Sequence, residues 1–127
     1  MKKHPVLLLA LASLIFLVVS CAKDKEKTCS LSAGPDTPAY GLQVKYTATQ
    51  TGDGKITSLT YYTSATETVT VTDPVLPWEV TLFVEGGTTL KITAAGTVKN
   101  GSVSVSYDAT GETEAYSASD FCSQESN

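Results

Sequence analysis

Trp78-Glu79-Val80-Thr81-Leu82-Phe83-Val84-Glu85 is the stretch that decides the fold. Successive side chains of an extended strand point to opposite faces, so Trp78, Val80, Leu82 and Val84 share one side and Glu79, Thr81, Phe83 and Glu85 the other. The pattern predicts a half-buried strand, with Trp78 opening the inward series as a core anchor. The strand is entered through Asp73-Pro74-Val75-Leu76-Pro77, and proline suits a strand start or a sheet edge because it has no N–H to donate. Gly86-Gly87 ends it. Phe83 interrupts an otherwise polar face, which makes Phe83, with Glu79 and Glu85 beside it, the candidate partner contact.

The same period extends in both directions. Upstream, Tyr40, Leu42, Val44, Tyr46 and Ala48 alternate with polar residues, and Thr51-Gly52-Asp53-Gly54-Lys55 is expected to close a hairpin. Ile56 to Thr63 alternates imperfectly, which suggests a bulge or an edge position. Glu67 to Thr72 follows with Val69 and Val71. Downstream, Leu90, Ile92 and Ala94 form one series and Val103, Val105 and Tyr107 another, with Asn100-Gly101 between them reading as a type I′ hairpin. Glu114 to Phe121 is the last strand. About seven short strands rich in Val and Thr, with no helix after residue 20, predict an all-β fold. The expected architecture is an antiparallel β-sandwich of immunoglobulin-like size over residues 40–122, with 123–127 as a tail.

The amino terminus reads as an address. Lys2 and Lys3 precede the apolar run Val6 to Val19, which has the length of a signal-peptide core and falls short of the roughly 20 residues that span a bilayer. Val18-Val19-Ser20-Cys21 has the pattern of a bacterial lipobox. Residues 1–20 are therefore expected to be a lipoprotein signal peptide, helical while present, with acyl chains attached at Cys21. More than one chain is needed for stable anchoring to a membrane. Ala22, rather than an acid, after the cysteine fits the outer-membrane route. The expected location is the bacterial cell envelope, facing the periplasm or the surface. Residues 21–39, charged at Lys23-Asp24-Lys25-Glu26-Lys27 and turn-rich at Gly34-Pro35-Asp36-Thr37-Pro38, read as a tether.

Cleavage before Cys21 would leave seven lysines, no arginine and 13 acids, a net charge of −6. Such a chain has no basic stripe with which to displace counterions, so nucleic acid is excluded as a partner. The only histidine, His4, lies in the signal. Without His or Arg the usual groups for proton transfer near neutral pH are missing, and the expectation is a protein that is not an enzyme and carries no metal and no cofactor. Once Cys21 is acylated, Cys29 and Cys122 remain. In an oxidising compartment they are expected to be bridged, and two cysteines without histidine make a poor zinc site. The six tyrosines are read as strand packing before ligand platform.

Taken with the strand Val44-Lys45-Tyr46-Thr47 and the strand Lys55 to Tyr61, the run Asp73 to Thr81, sharpest at Leu76-Pro77-Trp78, resembles the MmpS family of mycobacterial membrane small proteins. The resemblance covers about residues 40–122. It implies a small β-sandwich outside the cytoplasm and an accessory role beside an envelope exporter such as an RND-type transporter. The chain departs from the family in having a lipid anchor where members have a transmembrane helix, and in placing a cysteine at Cys29 while Val103 stands near the position expected for the partner of Cys122. The expected function is that of a lipid-anchored, non-catalytic accessory or binding module. The alternative is a surface-exposed structural or adhesive lipoprotein with no transporter link.

Overall fold

The period-two pattern of the sequence reappears as alternating burial along the strands. The computed structural model describes residues 25–125. It contains β1 (Lys27–Asp36), β2 (Leu42–Gly52), β3 (Lys55–Tyr62), β4 (Thr68–Thr72), β5 (Trp78–Val84), β6 (Leu90–Val98), β7 (Gly101–Thr110) and β8 (Ala115–Gln124). All pairings are antiparallel, in two four-stranded sheets ordered β1-β6-β3-β4 and β5-β2-β7-β8. The inward residues of both sheets form one apolar core, so the fold is an all-β sandwich.

Eight strands stand where the sequence suggested about seven. The additional one, β1, lies inside the stretch read as a tether, so the folded part begins at Lys27 and not at Tyr40. Cys29, Leu31 and Ala33 point inward and Thr28, Ser30 and Ser32 outward, but two of the three inward residues are small and the apolar signal is faint. Gly34-Pro35 interrupts the register between Ala33 and Asp36, which an edge strand tolerates. The even number of alternating strands also brings Lys27 and Gln124 to the same end of the molecule. The side-chain amide of Gln124 donates to the Lys25 carbonyl there at 2.8 Å.

Two connections differ from expectation. Thr51–Lys55 and Asn100-Gly101 read as hairpin turns, yet β2 and β3 belong to different sheets, as do β6 and β7. Both links cross the sandwich. They lie against each other: a Cβ on Gly52 would meet the Asn100 carbonyl oxygen at 2.2 Å, and Gly52 has a φ of +58°. Asn100 is not in the left-handed region a type I′ turn requires, Asp73 being the only non-glycine residue with positive φ among the described residues. The crossing is held instead by the Asp53 carboxylate, which accepts the amides of Lys99 and Asn100 at 3.0 and 2.8 Å. Those bonds, with Asn100 contributing most, hold the Asp53 carboxyl below its ordinary range. The bulge in β3 is present, between Ile56 and Ser58, and β3 is an interior strand.

Tyrosines occupy the centre. Tyr46 and Tyr107 are the largest fully buried side chains. An aromatic chain runs from Tyr107 through Tyr46 and Tyr61 to Trp78, with ring centroids 5.9, 5.2 and 5.5 Å apart, the range in which tilted aromatic pairs attract. Burial pushes the Tyr46 phenol up to about 12. It raises Tyr107 as well, and the Asp36 carboxylate that accepts the Tyr107 hydroxyl adds to the rise. Trp78, Val80 and Leu82 do face inward, but β5 is an edge strand, and only Val84 of that series is fully buried. Trp78, expected from sequence as a core anchor, is thus the outer end of the aromatic chain, partly buried and packed against a core whose largest fully buried side chains are Tyr46 and Tyr107.

Candidate functional site

Three loops meet at the end of the sandwich opposite Lys25: residues 37–41 between β1 and β2, 85–89 between β5 and β6, and 111–114 between β7 and β8. Glu114 accepts the backbone amides of Ala39 and Tyr40, each at 3.0 Å, and the Tyr116 hydroxyl at 2.7 Å. Charge-assisted bonds of this kind favour the carboxylate, and they hold Glu114 below its ordinary value, the Ala39 amide contributing most. The Gly87 amide donates to the Pro38 carbonyl at 2.8 Å. Gly86 lies so close to Ala39 that a Cβ there would meet the Ala39 oxygen at 2.3 Å. The three loops are therefore braced against one another before any ligand arrives.

Between the first and third loops lies an open cleft of about 410 Å³, lined by Tyr40, Gly41, Gly111, Glu112, Thr113 and Glu114. The Tyr40 side chain is 69% exposed and Phe83 is 64% exposed. The Phe83 ring lies over Gly41, where a Cβ would come within 2.5 Å of its Cζ, so glycine leaves room for the ring. Two exposed rings thus lie at this end of the sandwich. Glu85 and Glu112 stand exposed at the same end. The loops there, 37–41, 63–67, 85–89 and 111–114, carry Glu67, Glu85, Glu112 and Glu114 and no lysine. The opposite end carries Lys25, Lys27, Lys55 and Lys99.

The three residues proposed from sequence as a partner contact, Glu79, Phe83 and Glu85, are all exposed. Phe83 and Glu85 belong to the cleft end. Glu79 lies further down the same face of β5 and pairs with Lys45 at 3.7 Å. Sequence alone marks none of Gly41, Glu112 and Glu114 as site residues, and it counts Tyr40 only among the six tyrosines read as strand packing before ligand platform. Tyr40 reads as the first inward residue of β2 because it continues that strand's period, but β2 begins at Leu42 and Tyr40 turns outward. Glycine beside an aromatic or acidic residue in two loops, Tyr40-Gly41 and Gly111-Glu112, is the signal that sequence offers for this site.

Cys29 and Cys122 are joined by a disulfide, with Cα atoms 6.0 Å apart, inside the range such a bridge requires. It ties β1 of one sheet to β8 of the other. Val103 stands directly opposite Cys122 in the β7–β8 register and is fully buried. Among the described residues no group of three or more His, Cys, Asp or Glu is arranged to hold a metal ion. Cys21, the expected lipid attachment site, and the signal segment lie outside the described residues. No family model matches the chain, and no curated protein or solved structure matches it at a significant level.

Proposed function

We propose that the chain is a lipid-anchored, non-catalytic protein of the bacterial cell envelope whose β-sandwich acts as a binding or accessory module. The observation that carries this reading is the polarity of the domain. The described chain enters at Lys25, four residues after Cys21, and four extended residues reach at most about 14 Å. An acyl group at Cys21 would hold the sandwich close to the membrane by that end and turn the braced loops around Tyr40 outward. The Cys29–Cys122 bridge supports an oxidising compartment, since such bonds persist outside the cytoplasm. The absence of His and Arg beyond His4 supports binding over catalysis. An accessory role beside an RND-type exporter rests on the MmpS resemblance of residues 40–122.

The test is the Cys21→Ser variant, expressed from the full-length gene and fractionated. The expected result is loss from the membrane fraction or retention of an uncleaved signal. A variant that stays with membranes at the normal mature mass contradicts the anchor.

A further inference from the structure

We propose that the cleft between Tyr40 and Gly111–Glu114 receives a cationic side chain, lysine or arginine, from a basic segment of a protein partner. The inference rests on the reading of this domain as a binding module and supplies the chemistry of its ligand. The exposed Tyr40 ring lines the cleft, with the Phe83 ring packed over neighbouring Gly41, and aromatic faces attract ammonium and guanidinium groups. The loops of this end bring four glutamates and no lysine. Glu79, by contrast, has Lys45 beside it and is already paired. Arginine in particular matches a site that offers a ring face and a carboxylate together, because its planar guanidinium stacks and forks its donors at once.

The geometry also favours a folded-protein site over a flexible loop. Glu114 spends its carboxylate on the amides of Ala39 and Tyr40, which fixes the backbone beneath the Tyr40 ring and leaves Glu112, next in line on the same wall, to face the ligand. A wall fixed in advance loses little freedom on binding. The volume, about 410 Å³, accommodates a single long side chain with its flanking backbone.

The experiment uses the isotope-labelled mature protein as purified from cells, in neutral detergent. Three probes are titrated while backbone amide shifts are followed: acetylated triarginine amide, acetylated triglutamate amide and maltotriose. Triarginine is expected to shift the amides of Tyr40, Gly41 and Gly111–Glu114, more weakly at high salt than at low salt. Tyr40→Ala and Glu112→Gln, both exposed positions, are each expected to weaken that binding about threefold while leaving the other amide shifts in place. Shifts confined to maltotriose would overturn the proposal in favour of a glycan ligand. Triarginine shifts spread over the whole acidic surface, or unaltered by both variants, would overturn it as well. The readout concerns the cleft alone, so a failure here is distinguishable from a failure of the Cys21 anchor, which fractionation reports separately.

Discussion

The two open sides of the sandwich are built differently. On the β1/β8 side the sheets are fastened together: Cys29 is bonded to Cys122, Asp120 of β8 accepts the Ser32 amide of β1 at 2.9 Å, and Lys27 donates to the Ser123 carbonyl at 3.2 Å. On the β4/β5 side no disulfide or side-chain hydrogen bond joins the two edge strands among the described residues, though the chain itself passes from one to the other through residues 73–77. β4 is five residues long, and Trp78, Val80, Leu82 and Val71 cover the core only partly. The fastened side is also the one through which the chain enters and leaves. Any pull on the amino terminus therefore reaches both sheets through Cys29, two residues into β1, instead of peeling β1 from β6. Cohesion on the other side rests on the 73–77 connection from β4 to β5, on aromatic and aliphatic packing and, one strand in, on the Tyr46 hydroxyl, which donates to the Tyr62 carbonyl at 2.9 Å.

Removing the bridge is expected to have the largest effect. Cys29→Ala with Cys122→Ala opens a loop of about 90 residues, for which chain entropy gives roughly 4–5 kcal/mol, and native bridges in small domains are worth about 2–5 kcal/mol. Urea unfolding with and without the pair measures it, and an unchanged midpoint contradicts the contrast between the sides. Trp78→Ala comes next. A fully buried tryptophan costs about 3–5 kcal/mol, and one at a half-covered edge should cost about 2 kcal/mol. A loss equal to that of Tyr46→Ala would place Trp78 in the core after all.

Asp120→Ala should cost about 1 kcal/mol, chiefly through the loss of the cross-sheet hydrogen bond from Ser32, its other bond being a local one from the Phe121 amide, and should loosen β1. Amide exchange at Ser32 faster than in the parent protein is the sign to seek. The smallest effect concerns pH at the loop end. Glu114 has its folded value below its ordinary 4.5, so it contributes stability above that value and loses it as pH falls through the lower, folded one. Glu114→Gln should flatten the acid limb of the stability curve and leave the curve above pH 6 with a nearly constant offset. A parallel acid limb in both proteins would remove this role.

The fold was largely legible because most of the strands carry branched or aromatic residues at alternate positions, as in Val44-Lys45-Tyr46 and Leu90-Lys91-Ile92. β1 was hidden by its content, since Cys29 and Ala33 are small side chains with a weak apolar signal and the following prolines look like linker. Sheet membership was illegible for a different reason. Glycine and asparagine serve a turn within one sheet and a crossing between two equally well, and only the partner strands, far apart in sequence, decide which forms. The same distance conceals the cleft: Tyr40 and Glu112 are 72 positions apart and are brought together by Glu114, a residue whose sequence context suggests only the start of a weak strand.

The central claim, a bridged sandwich carried on a lipid, is tested most directly by the intact mass of the protein extracted from membranes without reductant. The account predicts a chain that starts at Cys21, heavier by two or three acyl chains with their glyceryl group, and lighter by the two hydrogens lost when Cys29 and Cys122 join. An unacylated chain, or one in which both of those cysteines react as free thiols, would contradict it.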